Sequence, residues 1–226
     1  FAGAIQDYQR GIIVGDRSFG KGTVQTLIPL TEGQLKITES KFYRISGDST
    51  QHRGVVPDLA FPTVYDPAEI GESALDHALN WDQINAVRHH RYNDLSTVLP
   101  VLTTQFQERS GKNPDFIYLE DQIALAAATR KITELPLNEQ ARKALRESQE
   151  AKALAIENKR RKARGEELLT SLDEEAGETD EETETDLDAE EQDPKDDVLL
   201  MEAGNVLADA LIIKRQRFAA HSPKES

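Results

Sequence analysis

The spacing of apolar and polar residues changes along the chain, from a mixed pattern to a purely helical one. Phe1, Ile5 and Tyr8 recur at the interval of one helix face. The runs that follow are apolar and β-branched, as in strands, and Thr31-Glu32-Gly33 between two of them predicts a hairpin turn. A short apolar segment over 55–59 indicates an edge strand. The elements predicted before it are a helix over 1–9 and strands over 11–15, 23–30 and 34–45.

In the rest of the chain, strand patterns disappear and apolar residues follow helical spacing. Residues 74–79 predict one helix, and Asp94 is the predicted N-cap of the next, whose buried face includes Leu102. The break at Gly111-Lys112-Asn113-Pro114 ends that helix and begins another. Two further helices are predicted over 137–165, which is charged and rich in Ala, Lys, Glu and Arg, and over 198–217.

Charge is distributed very unevenly along the chain. The 226 residues are 38% hydrophobic with a mean hydropathy of −0.59, low for one fully packed body of that length. The formal net charge is −14, and the stretch 173–197 alone holds fifteen Asp or Glu against Lys195. Such a stretch cannot bury enough apolar surface to offset its ordering entropy. We therefore predict a disordered acidic linker over 166–197, in preference to an acidic docking site, and a disordered tail over 218–226.

Composition also argues against several classes of protein. The absence of cysteine excludes disulfides and Cys-ligated zinc. No run of about eighteen apolar residues is present, so no transmembrane segment is predicted, and the first residues lack the pattern of a signal peptide. The five histidines lack the spacing of a metal site. The basic cluster over 159–164 fits a solvated helix end better than a nucleic-acid patch. We predict no metal, no cofactor and no nucleic-acid partner.

Candidate chemistry concentrates in Gly15–Gln25, where Lys21 stands between two glycines. A phosphate loop would need Ser or Thr directly after Gly-Lys and then a helix, whereas Gly22 follows the lysine and residues 23–30 have strand chemistry. Two interpretations remain, a catalytic amine and an exposed lysine in a glycine-rich hairpin. A lysine works as a general base only when burial or a nearby cation lowers its pKa toward neutrality. Gln25, four residues on, could hold the amine through its amide oxygen.

Three motifs in order resemble the C-terminal processing peptidases, most closely their tail-specific protease branch. They are Phe-Gly-Lys-Gly-Thr-Val-Gln over 19–25, Lys41-Phe42-Tyr43-Arg44 followed by Gly47, and Gly54-Val55-Val56-Pro57-Asp58. The segment 81–84 also resembles the family's Pro-Trp-Asp segment. The resemblance implies a Ser-Lys dyad, in which an unprotonated lysine takes the proton of a serine that attacks a peptide carbonyl. It maps the catalytic lysine onto Lys21 and the glutamine that orients it onto Gln25.

The same resemblance sets expectations for the fold. Residues 1–8 resemble the helix that directly follows the nucleophile, so the serine is expected about one helical turn before Phe1 and the chain alone should not cleave peptides. The implied fold class is α+β. It comprises the end of an α/β (ClpP/crotonase-like) protease core over 1–62, followed by an all-helical C-terminal domain over 67–165.

The resemblance also implies a biological setting. The expected substrates are envelope proteins with apolar C-termini, and an envelope adaptor protein could contact the helical domain. The expected location is the bacterial periplasm, with peripheral association with the inner membrane as an option. A second hypothesis treats the chain as a non-catalytic helical scaffold that docks a partner. Replacing Lys21 separates the two, because only the protease needs its amine.

Overall fold

The computed structural model describes residues 1–66, 69–172, 194 and 197–221, and its contacts divide the chain into two compact units. The first unit comprises Phe1–Thr103 and Val206–Ser226, and the second comprises Thr104–Asn205. The predicted domain limit between 62 and 67 therefore lies inside the first unit. A mixed region of helix and strand followed by a helical region is confirmed.

The first unit begins with helix α1 (Ala2–Asp7) and two pairs of strands. Strand β1 (Val14–Gly15) pairs in parallel with β4 (Leu59–Ala60). Strands β2 (Thr23–Pro29) and β3 (Gln34–Lys41) form an antiparallel hairpin with an irregularity between Val24 and Gln25. The predicted turn is present, since the amide of Leu30 donates to the carbonyl of Gly33 at 3.1 Å. Most side chains of β2 and β3 are exposed in this unit.

Three strand predictions need correction. The strand expected over 34–45 ends at Lys41, because the chain then turns: the amide of Arg44 donates to the carbonyl of Asp48, and Gly47 adopts a positive φ of 89°. The strand expected over 11–15 is reduced to Val14–Gly15. The edge strand expected over 55–59 is displaced to Leu59–Ala60, where it pairs with β1.

The helix predicted over 74–79 is wrong. Only a single 3-10 turn forms, at Glu72–Ala74, and Leu75 is already extended. Tertiary hydrogen bonds hold the following segment in an extended form: the amide of Ile84 donates to Gly47 and that of Val87 donates to Ile45, both at 2.9 Å. Helical propensity is weak enough for such contacts to override it.

The remaining helices are α2 (Leu99–Ser110), α3 (Pro114–Arg130), α4 (Glu139–Arg164) and α5 (Val198–His221). Asn113 caps α3 by accepting from the amide of Asp115, and Asn138 caps α4 by accepting from Ala141. Gly165 ends α4 in the left-handed conformation, with φ of 75°. These three positions confirm the predicted break at 111–114 and the long helix over 137–165.

Helix α2 begins later than predicted, since Asp94 is not its N-cap. The Asp94 carboxylate accepts from the amide and hydroxyl of Ser96, at 3.0 and 2.6 Å, and so caps the turn that precedes the helix. These two hydrogen bonds hold the pKa of Asp94 below its ordinary value. The predicted apolar face is nonetheless present, because Leu102 and Phe106 are buried.

The predicted linker and tail are partly ordered. Residues 166–172 fold back onto α4, where the Asn158 side chain exchanges two hydrogen bonds with the backbone of Leu169, at 2.9 and 2.8 Å. The tail prediction from 218 is wrong as far as His221, because helix α5 continues to that residue. The acidic tract over 173–193 and residues 222–226 lie outside the described residues.

Candidate active site

The loop that carries Lys21 is held by hydrogen bonds to the carbonyls of three consecutive residues. The carbonyl of Gly20 accepts from the amide of His52 at 2.8 Å, and the carbonyl of Gly22 accepts from that of Phe42 at 3.1 Å. The Lys21 carbonyl accepts more weakly from the Thr50 hydroxyl, at 3.4 Å. The path of the loop is therefore set by residues of two later segments.

Gln51 is the central support of this loop. Its side chain is fully buried; Oε1 accepts from the amide of Gly22 at 2.8 Å, and Nε2 donates to Oε1 of Glu72 at 2.9 Å. Glu72 is itself 5% exposed, and its amide donates to the carbonyl of Phe19 at 2.9 Å. Both functional ends of the Gln51 amide are thus used, as a buried polar group requires.

Glycine is required at position 22 by this close packing. A Cβ there would lie 2.6 Å from the Gln51 amide nitrogen and 2.9 Å from the Ser49 hydroxyl oxygen. The first contact is with backbone and cannot be relieved by a side-chain rotation. Gly22 therefore allows the loop to lie directly against residues 49–51.

Lys21 and Gln25, the two predicted site residues, line the same open cavity of about 440 Å³. The Lys21 ammonium donates to the hydroxyl of Thr23 at 3.0 Å, and the Gln25 amide donates to the hydroxyl of Thr38 across the hairpin at 3.4 Å. The structure therefore shows Thr23 as the hydrogen-bond acceptor for the lysine. Gln25 lies in the same cavity, and its role as the orienting glutamine stays a prediction.

One wall of this cavity comes from the segment that follows the 3-10 turn. It places two carboxylates and an imidazole near the lysine, together with apolar side chains. The residues of this wall are Glu72, Leu75, Asp76, His77, Ala78 and Leu79. The cavity thus joins an amine, titratable groups and an apolar surface.

Helix α1 is fastened to the strand region by Arg44. Its guanidinium makes two contacts with the Asp7 carboxylate, at 2.6 and 3.0 Å, and a third with Oε1 of Gln6 at 2.8 Å. Arg44 and Asp7 are both largely buried. A paired geometry of this kind fixes orientation as well as distance. Arg44 of the second motif thus fixes α1 against the strand region.

The other polar residues of the second motif fasten the Trp81–Asp82 segment. Lys41 donates to the Asp82 carboxylate at 3.1 Å, and the Tyr43 hydroxyl donates to it at 3.0 Å. Desolvation and then this hydrogen bond raise the pKa of Tyr43. The Trp81 indole donates to the carbonyl of Ser49, two residues before Gln51, at 3.0 Å.

Ser18 and Asp58 have structural roles. The Ser18 hydroxyl accepts from the amide of Val55 at 2.8 Å, and the carbonyl of Val55 accepts from the Ser18 amide at 3.2 Å. The Asp58 carboxylate accepts from the amide of Ile13 and from the Gln6 side chain, at 2.8 and 2.9 Å. Ser18 therefore joins its loop to Val55, Asp58 joins α1 to the segment that leads into β1, and neither residue lines the Lys21 cavity.

Metal sites and membrane spans have no candidate in the described part of the chain. Among those residues, no three His, Asp or Glu side chains come together as metal ligands would. No helix among them combines the length and apolarity that a membrane crossing requires.

Comparison with known proteins assigns the chain to a family in two steps. Residues 1–61, which hold the lysine loop and all three motifs, match the model of peptidase family S41. Residues 65–211 match the model of the C-terminal domain of tail specific protease. Because the second model alone covers more than half of the chain, the chain belongs to the tail-specific protease family, as its motifs predicted.

Individual relatives carry the same kinds of name. The tail-specific protease of Haemophilus influenzae is 36% identical over 185 residues, which cover 76% of this chain and 27% of that protein. The carboxy-terminal-processing protease of Bartonella bacilliformis is 52% identical over 59 residues, 26% of this chain and 14% of that protein. The chloroplastic C-terminal processing peptidase of Tetradesmus obliquus is 39% identical over 59 residues. The chain therefore spans about a quarter of the first relative's length and less of the Bartonella protein.

Sequence reasoning missed Thr23, Gln51 and Glu72. Thr23 was read only as a strand residue, although its place two positions after the lysine could have suggested a hydroxyl partner. Gln51 lies in a polar stretch without periodicity, and Glu72 directly precedes the apolar pattern that predicted a helix. Nothing local links residues 21 positions apart, so only the fold shows that they meet.

Proposed function

We propose that the intact protein is a serine endopeptidase of the tail-specific type and that Lys21 is its general base. The observation that carries this proposal is the amine of Lys21 standing on a rigid glycine loop in the same cavity as Gln25, within the region that matches peptidase family S41. The fold of that region is proposed to be the end of a ClpP/crotonase-like core.

The chemistry follows from the lysine and a serine hydroxyl. In its neutral form, the Lys21 amine accepts the hydroxyl proton while the serine oxygen forms a bond to the peptide carbonyl carbon. The resulting ammonium returns the proton to the leaving amine nitrogen as the C–N bond breaks, which leaves an acyl ester on the serine. Water then attacks the ester with the amine again as base, and the serine oxygen regains the proton.

Thr23 and Gln25 orient the amine in this proposal. The Thr23 hydroxyl oxygen accepts one N–H of the Lys21 side chain at 3.0 Å, which leaves the nitrogen's remaining directions for a substrate-side partner. Gln25 lies next along the cavity, and its amide can supply a second contact once the site is filled. The serine is proposed to precede Phe1, next to α1, the helix that Arg44 holds in place.

The proposed substrates and location rest on the resemblance to the tail-specific proteases. We expect protein substrates with apolar C-termini, encountered in the bacterial periplasm, and an adaptor that contacts the helical region. The apolar residues Leu75 and Leu79 on the cavity wall are compatible with an apolar peptide chain near the lysine. The proposed activity belongs to the intact protein, since the chain spans about a quarter of the first relative's length.

Replacement of Lys21 tests the proposal. In the intact protein, Lys21→Ala should abolish hydrolysis of a peptide substrate, and Lys21→Arg should do the same because a guanidinium stays protonated and cannot accept the serine proton. The residue is exposed, so circular dichroism should show an unchanged fold. Full hydrolysis by either folded variant would overturn the proposal and favour the scaffold hypothesis.

A further inference from the structure

We propose that Glu72 is a positioning residue for Lys21, contributed to the active site by the region that matches the tail-specific C-terminal domain. This inference rests on the proposed function of Lys21. Glu72 lies within residues 65–211, whereas Lys21 and its support Gln51 lie within residues 1–61. The C-terminal domain region would then form part of the catalytic apparatus.

The link runs through two short hydrogen bonds. Glu72 Oε1 accepts from Nε2 of Gln51 at 2.9 Å, and Oε1 of Gln51 accepts from the amide of Gly22 at 2.8 Å. An amide side chain can be turned end for end, and a carboxylate can only accept. Glu72 therefore dictates which end of Gln51 faces the loop, and the end that remains is the acceptor that Gly22 needs.

The loop has little freedom to absorb the loss of this link. Gly22 is packed so tightly against residues 49–51 that a Cβ would lie 2.6 Å from the Gln51 amide nitrogen. The amide of Glu72 also donates to the carbonyl of Phe19, so Glu72 braces the chain on both sides of Lys21. A displaced Glu72 would therefore move the base relative to the reacting carbonyl.

The same segment faces the cavity after this anchor. Residues 75–79 line the same cavity as Lys21 and Gln25. Glu72 is thus both the start of the wall and the support of the loop, and this explains why a charged residue is buried at that point. Because Glu72 holds both this wall and the loop that carries Lys21, it fixes the distance between the wall and the lysine amine.

The test measures kcat and KM for three single variants and one double variant at Glu72 and Gln51, in the intact protein with a peptide substrate. Glu72→Ala should lower kcat on the order of 100-fold with KM little changed, because misplacing a catalytic group by about 1 Å costs about that much. Glu72→Gln should stay within about threefold of the parent, because its amide oxygen still accepts from Gln51. Gln51→Glu alone should behave like Glu72→Ala, since two carboxylates would then face each other.

Combining Gln51→Glu with Glu72→Gln should restore most of kcat, because one acceptor faces Gly22 and one donor again joins the two side chains. Glu147→Ala is the control for loss of a carboxylate, since that residue is exposed on α4. All rates are taken at a temperature at which circular dichroism shows each variant folded. A structural role alone would lower the melting temperature without a selective loss of kcat.

The outcomes separate this inference from the proposed function. If Lys21→Ala abolishes hydrolysis while folded Glu72→Ala retains its kcat, the positioning role is overturned and the base assignment stands. If the double variant is as slow as Gln51→Glu alone, the hydrogen bond between residues 51 and 72 is not the cause of the lost kcat. If Lys21→Ala itself hydrolyses normally, the proposed function fails first.

Discussion

The lysine loop and the α3–α4 helical pair each bury a carboxylate, and they surround it differently. Glu72, beside the loop, accepts a hydrogen bond from Gln51 at 2.9 Å. Glu157, on α4, is 1% exposed, and neither of its oxygens has a hydrogen-bond partner. Its nearest counter-charge is the Arg160 guanidinium at 3.4 Å, an ion pair without a hydrogen bond.

The two regions therefore differ in how their buried carboxylates are stabilised. Buried polar groups with full hydrogen bonding specify one arrangement of their neighbours, and the loop needs one arrangement if Lys21 is to meet a substrate. Burying an ion pair costs desolvation that an imperfect geometry does not recover. The α3–α4 pair is held by other contacts, such as the surface ion pair of Lys159 with Asp121 and the stacking of the Arg160 guanidinium over the Tyr118 ring.

The largest effect is expected from filling the space at Gly22. Gly22→Ala places a methyl group within 2.6 Å of backbone, and we expect a loss of about 3 kcal/mol in local stability together with loss of activity. The matched control is Gly204→Ala in α5, where no atom lies within 4 Å and a gain of about 1 kcal/mol in helix stability is expected. Hydrogen exchange of peptides covering each site measures both. Equal and small effects would contradict the tight packing of the loop.

An intermediate effect on stability is expected when each buried carboxylate is replaced by leucine, with a larger loss for Glu72 than for Glu157. Glu72→Leu leaves the buried Nε2 of Gln51 without an acceptor and should cost about 2 kcal/mol. Glu157→Leu loses no hydrogen bond and should change stability by less than about 1 kcal/mol, because Arg160 keeps a second carboxylate, Asp115, at 3.6 Å. Hydrogen exchange over the lysine loop and over α4 compares them. Destabilisation of α4 equal to that of the loop would show that Glu157 is as well satisfied as Glu72.

The smallest effect concerns ionisation of Tyr118, which lies on α3. Burial, and then the negative charge of Glu157, raise the pKa of Tyr118 above its ordinary value of 10.0. Glu157→Gln removes that charge and should lower the pKa, as followed by tyrosinate absorbance with Tyr118→Phe as the reference. An unchanged or higher pKa in Glu157→Gln would contradict this source of the shift.

The raised pKa of Tyr118 also predicts a pH dependence of stability. The folded state holds the phenol proton more tightly than the unfolded chain does, so this stabilisation is complete below about pH 10 and is lost as pH rises through the folded-state pKa. Tyr118→Phe should lack that alkaline loss in thermal unfolding measured over the same pH range. The same alkaline slope in both proteins would assign the loss to other groups.

Prediction from sequence succeeded where local chemistry decides structure. The break at 111–114 and the hairpin turn that contains Gly33 act within a few residues, whereas the predicted N-cap Asp94 caps only the turn that precedes α2. Lys21 and Gln25 line one cavity, and their catalytic roles stay predictions. Residues 74–79 failed because their apolar spacing fits a helix while Trp81 and Ile84 are drawn by distant carbonyls into an extended path.

The sequence by itself determined the hairpin, the helices α3 and α4, the family and the lysine that carries the proposed chemistry, because turn residues, helix breaks and motifs act over short spans. Tertiary structure alone decided that Gln51 accepts from the amide of Gly22 and that Glu72 accepts from Gln51. Those side chains come from segments far apart in the chain, and a hydrogen bond depends on position in space. Burial then makes each such bond costly to lose, which is why the fold, rather than local propensity, holds the lysine loop in place.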